Sequence, residues 1–500
     1  MDQIESSGSA GAPARRRGWM IAGIIAVIML AGASYVAGRF TVDRPVDYPD
    51  IVEHFKYGSI GSEHEFGMPY WIWKALPELF ADKLPGPGYA SLGFIYEPGG
   101  DLPVGVSKRR YRGFDLVWLN CAFCHTGSVR DTPASAPRII AGMPANMFDF
   151  RAFTRFLFAC AEDRRFTPQR ILLEIKRIGG APDLLERMIL RYYAIYLMRE
   201  RILSIRDRLT AYVGHQPEWG PGRVDTFNPL KAYFAFPPER LRADERIGTT
   251  DFPSIWSQRQ RRDRDMQLHW DGNNKIMEER NKSAAMGAGV TPPTVDLERL
   301  GRIEAWLLDF KPPAYPYAID GELAARGAPV YARYCADCHG ASGQDFSGNR
   351  VGTVVPIGEI GTDPWRLNSY TRELAANQST LYAGYPWRFT HFRKTYGYAN
   401  FPLDGLWLRA PYLHNGSVPT LRDLLEPSAR RPRTFYRGYD VYDRTRMGFV
   451  SNTRAEGERE FFPFDTSQPG NSNTGHEGPT YGTTLSPADK DALVEYLKTF

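Results

Sequence analysis

The sequence predicts a mainly α-helical protein: two haem-bearing domains with long ordered loops, set behind an N-terminal membrane segment. Three observations carry that expectation. The pentapeptide Cys-x-x-Cys-His occurs twice, as Cys121-Ala122-Phe123-Cys124-His125 and Cys335-Ala336-Asp337-Cys338-His339, and uses four of the five cysteines in 500 residues. Residues 18–38 carry no charge over a length that crosses a bilayer. Apolar residues at three- and four-residue spacing recur along the chain, the signature of amphipathic helices.

The repeated pentapeptide has a definite chemistry. Each thiol adds across one haem vinyl group, and the adjacent imidazole reaches the iron from the same loop. Cys121, Cys124, Cys335 and Cys338 are therefore the expected attachments of two covalently bound haem c groups, and His125 and His339 their proximal ligands. A disulfide or half of a zinc site requires Cys-x-x-Cys alone, without the histidine that comes next in both copies. The net charge of +5 is small for the length and spread along the chain, which argues against a nucleic-acid partner. Even the densest basic run, Arg259 to Arg264, is interrupted by Gln260 and Asp263 and suits a solvated loop or an interdomain ion-pair patch.

At the N-terminus, Arg15-Arg16-Arg17 precedes the apolar segment, which places residues 1–17 in the cytoplasm and exports the haem domains. Residues 18–38 form a transmembrane anchor, the apolar run continuing through Tyr35, Val36 and Ala37; the alternative is a signal segment cleaved near Ala31-Gly32-Ala33. The expected place is a bacterial inner membrane with periplasmic haem domains, or, with cleavage, the periplasm or beyond. Residues 39–50 read as a polar tether. The N-terminal first-haem domain is expected over 51–315 and the C-terminal second-haem domain over 316–500.

Within the first domain, residues 51–110 are rich in aromatics, Gly and Pro and suggest an irregular cap, in which His54 and His64 are structural. Phe114 to Leu119 is the apolar approach to Cys121. The loop after the first motif carries Met143 and Met147, each a candidate sixth ligand or a filler of the haem pocket. Helices are expected over 153–160, 168–178 and 184–208, with Cys160 a buried, inert thiol. The loop-like stretch from Trp219 contains Trp256 and Trp270, candidates for an aromatic lying between the haems, and His269, a candidate distal group. Asp271, Asn273 and Asn274 offer oxygen atoms of the kind that bind calcium.

An amphipathic helix over 297–310 ends at Lys311-Pro312-Pro313, a natural boundary. Beyond it, a helix from Gly321 to Tyr334 enters the second motif, and Ser486-Pro487-Ala488-Asp489 caps a closing helix, 490–500. Entry and exit helices of this kind resemble a cytochrome c domain.

With both motifs placed, the chain from about residue 50 onward resembles the bacterial dihaem cytochrome c peroxidase superfamily, and within it the dihaem rubber-oxygenase-like cytochromes. The resemblance is carried by the two pentapeptides, by Trp219 to Pro229, and by Leu406 to Ser417 with Pro419-Thr420-Leu421. It implies that His414, in Pro411-Tyr412-Leu413-His414, is the distal ligand of the second haem, since the only later methionine is Met447. A bis-His iron has no free position and serves as an electron relay or store. The superfamily's peroxidases place a distal histidine soon after the first motif, whereas here none occurs between His125 and His215. The resemblance then implies a first haem that is open, or capped by Met143, and calcium held between domains.

The expected function is a dihaem oxidoreductase of the peroxidase or oxygenase type, with the open first haem meeting peroxide or dioxygen. The alternative is a membrane-anchored electron-transfer cytochrome with both irons six-coordinate. Either takes its electrons from a redox partner protein or a quinol-linked donor.

Overall fold

A computed structural model describes residues 12–500, with side chains from Arg17 onward. The expected cytoplasmic tail therefore lies outside the described residues as far as position 11. The chain is 43% helix and 12% strand, which agrees with a mainly α-helical fold.

The first helix, α1 (Ala12–Thr41), continues back through the arginine run, and its membrane-length part, Arg17–Thr41, touches nothing in the rest of the fold until its last turn. At about 1.5 Å per residue those 25 residues reach roughly 37 Å, enough for a hydrocarbon core of about 30 Å. The stretch expected to be a free tether is instead sewn to the globular part. Asp43–Pro45 (β1) joins a four-stranded antiparallel sheet with Met68–Pro69 (β2), Val106–Tyr111 (β3) and Phe114–Leu119 (β4), in the order β1-β3-β4-β2. The Asp43 carboxylate fixes this edge by accepting from Arg109 Nε at 2.5 Å and meeting His64 Nε2 at 2.9 Å. The expected irregular cap thus holds short helices, Ile51–Tyr57 and Tyr70–Leu79 among them, packed with this sheet. A tight turn through Arg112 and Gly113 joins β3 to β4, and β4 delivers the chain directly to Asn120 and Cys121.

After the hairpin of Thr126–Val129 (β5) and Arg138–Ala141 (β6), the helices follow the apolar periodicity closely: α2 (Phe150–Glu162), α3 (Pro168–Arg177), α4 (Leu184–Ile189) and α5 (Ile195–Val213), the last two joined by one π-helical turn, Leu190–Ala194. Asp149, Thr167 and Asp183 cap the first three with side-chain oxygens, each satisfying an amide that the first helical turn leaves free. Arg223–Asp225 (β7) pairs with Thr249–Asp251 (β8), then α6 (Met277–Gly287) and α7 (Leu297–Asp309) complete the first half.

In the second half α8 (Gly321–Tyr334) crosses α9 (Pro487–Leu497) as entry and exit helices do in a cytochrome c domain. The crossing is close because Gly327 has no side chain; a Cβ there would stand 2.0 Å from the Ala492 carbonyl oxygen. Tyr331 and Phe500 seal it edge to face at 4.8 Å.

One hydrophobic core draws all its buried residues from positions 55–307, whereas a second combines Val129, Met143 and Trp256 with Tyr331, Trp407 and Leu493. The halves are also pinned by ions. Asp404, 1% exposed, accepts from Arg261 Nη2 at 2.6 Å and from Arg409. Removing the carboxylate strands two buried guanidinium groups, so Asp404→Ala should lower unfolding free energy by about 3 kcal/mol in urea titrations of the haem-loaded chain. A loss under about 0.5 kcal/mol would show that the ion cluster does not hold the halves together.

Candidate functional site

Both Cys-x-x-Cys-His segments are short helical turns presented by regular elements. The first comes after β4: the Asn120 side chain accepts from Ala122 N at 2.9 Å and donates to Gly58 O at 3.0 Å, which fixes the Cys121–Phe123 turn against the first core. The second comes after α8, with Cys335 as its C-cap and His339 N bonded to Cys335 O at 3.0 Å. No disulfide joins any two of the five cysteines, so neither pentapeptide is a disulfide loop. Cys160 is fully buried in the first core and its thiol is pushed up by burial, as expected of an inert side chain.

The two proximal imidazoles are held alike. His125 Nδ1 lies 2.9 Å from Pro253 O, and His339 Nδ1 lies 2.8 Å from Phe401 O. A carbonyl at Nδ1 keeps the proton there and leaves Nε2 as the metal-binding nitrogen. Burial keeps both rings neutral, lowering His125 to about 3 and moving His339 the same way.

A cavity of about 250 Å³ runs between the halves. Cys335, His339, Tyr398, His414 and His476 line it from the second half of the chain; Pro253, His269, Trp270, Met277 and Arg280 line it from the first, whereas Cys121, Cys124 and His125 do not. The donor set fits a haem at the second motif: thiol and imidazole on one wall, apolar Leu421, Leu425, Leu493 and Leu497 around them, and two further imidazoles with buried ring nitrogens, His414 Nε2 and His476 Nδ1, that have no partner among the described residues. From the first half Arg280, near enough to His125 and His269 to disfavour their charged forms, donates to the Asn281 side chain at 3.0 Å. A guanidinium so placed suits the carboxylates of a haem.

The sequence-expected residues are distributed unevenly around this cavity. His414 reaches it, its ring stacked on Tyr398 at 4.0 Å. The imidazole set against His339 is another, His476, with ring centres 6.1 Å apart. His476 sits at φ +48°, in the left-handed region that side chains avoid, and is pinned by His476 N to Ile360 O at 2.8 Å and by Arg431 Nη2 to its own carbonyl. Burial, then the neighbouring His339, lowers it to about 3. Sequence reasoning missed it because it stands in a Gly- and Asn-rich loop, 470–478, without periodicity; its one signal was being a histidine in a chain with nine.

Met143 does not line this cavity, and neither does His125; the methionine's thioether packs on Gly127 within the second core, which suits the reading as a filler. Trp256 and Trp270 both line the cavity but differ in their connections. Trp256 donates to Ala141 O at 3.2 Å, an approach allowed by Gly142, where a Cβ would lie 2.2 Å from the indole nitrogen. Trp270 donates to Asp251 O at 2.9 Å and meets the Phe401 ring edge to face at 5.8 Å. It thus touches the two segments whose carbonyls hold His125 and His339.

Of the oxygen atoms considered for calcium, Asn273 Oδ1 is 2.7 Å from His269 Nδ1 and Asn274 Oδ1 accepts from Ile276 N at 2.6 Å, while both Asp271 carboxylate oxygens are buried without a hydrogen-bond partner among the described residues, Arg366 Nη2 standing 3.5 Å away. Among the described residues no group of three or more His, Cys, Asp or Glu is arranged to hold a metal ion.

Comparison with known proteins points to the same chemistry. Residues 397–436, which include Tyr398, Phe401 and His414, match the family model described as RoxA-like, cytochrome c-like. The chain is similar to the uncharacterized protein y4iJ of Sinorhizobium fredii (strain NBRC 101917 / NGR234), 27% identical over 97% of this chain and 99% of the relative. It is also similar to the uncharacterized protein y4iM of the same organism, 33% identical over 50% of this chain and 64% of the relative. The family match supports a rubber-oxygenase-like cytochrome and, with it, a c-type cytochrome oxidoreductase; a cytochrome c-like domain implies covalently bound haem c.

At the edge of the first motif, burial pushes the Glu304 carboxyl up to about 7, and its Oε1 has no hydrogen-bond partner. The folded chain then holds this proton where the unfolded chain, at its ordinary 4.5, has lost it. Stability should therefore fall as pH rises from about 4.5 through about 7. Glu304→Gln abolishes that slope, so thermal unfolding should show the variant gaining on the wild type between about pH 5 and about pH 8. Parallel curves would mean that Glu304 ionises normally.

Proposed function

We propose that the chain is a dihaem c-type cytochrome oxidoreductase, exported and held at the bacterial inner membrane by α1, with one reactive and one electron-relaying haem. The observation that carries this reading is the pairing of His339 with His476. Two iron–nitrogen bonds of about 2 Å, plus about 1 Å from each nitrogen to its ring centre, separate the rings of a bis-His iron by roughly 6 Å. The 6.1 Å between these two rings suits that arrangement. His476, rather than His414, would then hold the second haem together with His339, while the His414 ring packs on Tyr398.

The first site has a different wall. Met277 and Arg280 come from α6, and His269 is turned toward Asn273 by its Nδ1. A haem held there by Cys121, Cys124 and His125 would supply a redox-active iron for reaction with peroxide or dioxygen. The chain's own part is to hold His125 neutral through Pro253 O, to set the Arg280 cation at the cavity, and to place Trp270 between the two proximal segments. Electrons arrive from a redox partner protein or a quinol-linked donor. A second reading, an electron carrier with both irons six-coordinate, draws on His269, an imidazole on the first-haem side of the cavity.

Gels stained for covalent haem should show a weakened band when Cys121 and Cys124, or Cys335 and Cys338, are replaced together, and none when all four are replaced; haem retained by the quadruple variant would refute both attachments.

Carbon monoxide should bind the reduced protein at about one per chain, rising to about two in His476→Ala and staying at about one in His414→Ala. If His414→Ala raises the count instead, His414 is the axial group. If the wild type binds none and His269→Ala binds one, the electron-carrier reading replaces the enzyme.

A further inference from the structure

With α1 read as an uncleaved anchor, we infer that the ridge formed by the start of α4, the π turn and the start of α5 is a second membrane contact, lying in the lipid–water interface beside the exit of α1. Leu184, Met188, Tyr192 and Tyr196 succeed one another at four-residue spacing and are 72%, 51%, 69% and 53% exposed, with Tyr193 and Leu197 beside them. Four-residue steps drift around a helix of about 3.6 residues per turn, and the wider π turn at Leu190–Ala194 takes up part of that drift, so the row stays on one side. The opposite side buries Glu186, Leu190, Ala194 and Ile195 against the first domain. The row extends for about 20 Å. It then stops: the exposed positions beyond it in α5 are Glu200, Ser204, Asp207, Arg208, Thr210 and Ala211.

A row of apolar and tyrosine side chains this long is unusual on a surface that meets only water. Its position says what covers it. Asp183, the N-cap of α4, pairs with Arg39 in the last turn of α1, and Glu186 stands 3.9 Å from the same guanidinium. Arg39 Nε also donates to Gly113 O at 3.2 Å. The ridge therefore begins where the span leaves the bilayer, and the ion pairs fix the angle between them. Exposed Arg112, Arg187 and Arg191 surround it, Arg191 lying over the Tyr192 ring at 5.7 Å. Tyrosine rings at headgroup depth and arginine stems that carry their charge outward to anionic phosphates are the side chains an interfacial helix uses. The occupant that fits is an anionic lipid surface.

The test uses the full haem-loaded chain in phosphatidylcholine–phosphatidylglycerol vesicles, with an environment-sensitive fluorophore on Met29→Cys, Tyr196→Cys or Arg454→Cys. Lipids carrying a nitroxide near the headgroup are then introduced. The expected result is quenching of about twofold or more at the Tyr196 position, with Met29 also quenched and Arg454 unaffected. Quenching at Met29 without any at Tyr196 overturns the ridge contact and leaves the anchor standing. No quenching at either position overturns both. Protection at Tyr196 that tracks protein concentration rather than nitroxide content assigns the ridge to a second copy of the chain and also overturns the inference.

Discussion

The cavity hangs on five residues of backbone, Thr249 to Pro253. Asp251 N donates to His414 O at 2.9 Å, Asp251 O accepts from Trp270 Nε1 at 2.9 Å, and two residues later Pro253 O takes His125 Nδ1 at 2.9 Å. The side chain of Asp251 is committed as well, receiving both terminal nitrogens of Arg437 at 3.0 and 2.8 Å while buried. One extended segment thus orients the first proximal imidazole, the intervening indole and the loop that carries His414. Because main-chain carbonyls set these positions, the geometry is insensitive to side-chain motion and depends on the β7–β8 pairing that holds the segment straight.

That rigidity has a local cost in backbone conformation. Among the non-glycine residues with positive φ are His269 at +61°, Leu413 at +68°, Met447 at +57° and His476 at +48°. His269, Leu413 and His476 line the cavity, and Met447 receives the Tyr412 hydroxyl on its carbonyl at 3.1 Å. Strain gathered at one cavity persists only where surrounding packing overdetermines it, and here it aims imidazoles at positions that relaxed loops would not reach. The same burial disfavours the charged forms of His269, His414 and His476, so these rings stand neutral and not as cations.

What the sequence made legible was whatever is written locally. The pentapeptides are contiguous, and the helices at 150–162, 168–177, 297–309 and 321–334 announce themselves by period and by cap. The four-stranded sheet was hidden because its strands are two to six residues long and are paired by β1, which comes from the supposed tether. His476 was hidden for a different reason: what stands against His339 is decided by where a loop returns in space, and 137 positions of chain separate the two. For Met143 proximity in sequence to Cys121 is no measure of direction; on the strand–loop that carries it, the side chain turns toward Gly127 and the second core.

The asymmetry between the two sites arises from these placements. Both proximal histidines are anchored by carbonyls at nearly equal distance, 2.9 and 2.8 Å, so their basicity is tuned alike and the proximal side gives no reason for the irons to differ. The difference lies in the opposite walls. His476 is locked against His339 by its own backbone bonds, whereas the first-haem wall offers a guanidinium, a thioether and a histidine already turned toward Asn273. Trp270 is poised to couple the two, since it hydrogen-bonds the segment that holds His125 and packs on the residue whose carbonyl holds His339. On the proposed dihaem reading, a ring with one edge on each of these segments would shorten the gap an electron crosses between a relaying and a reactive haem, without itself binding iron.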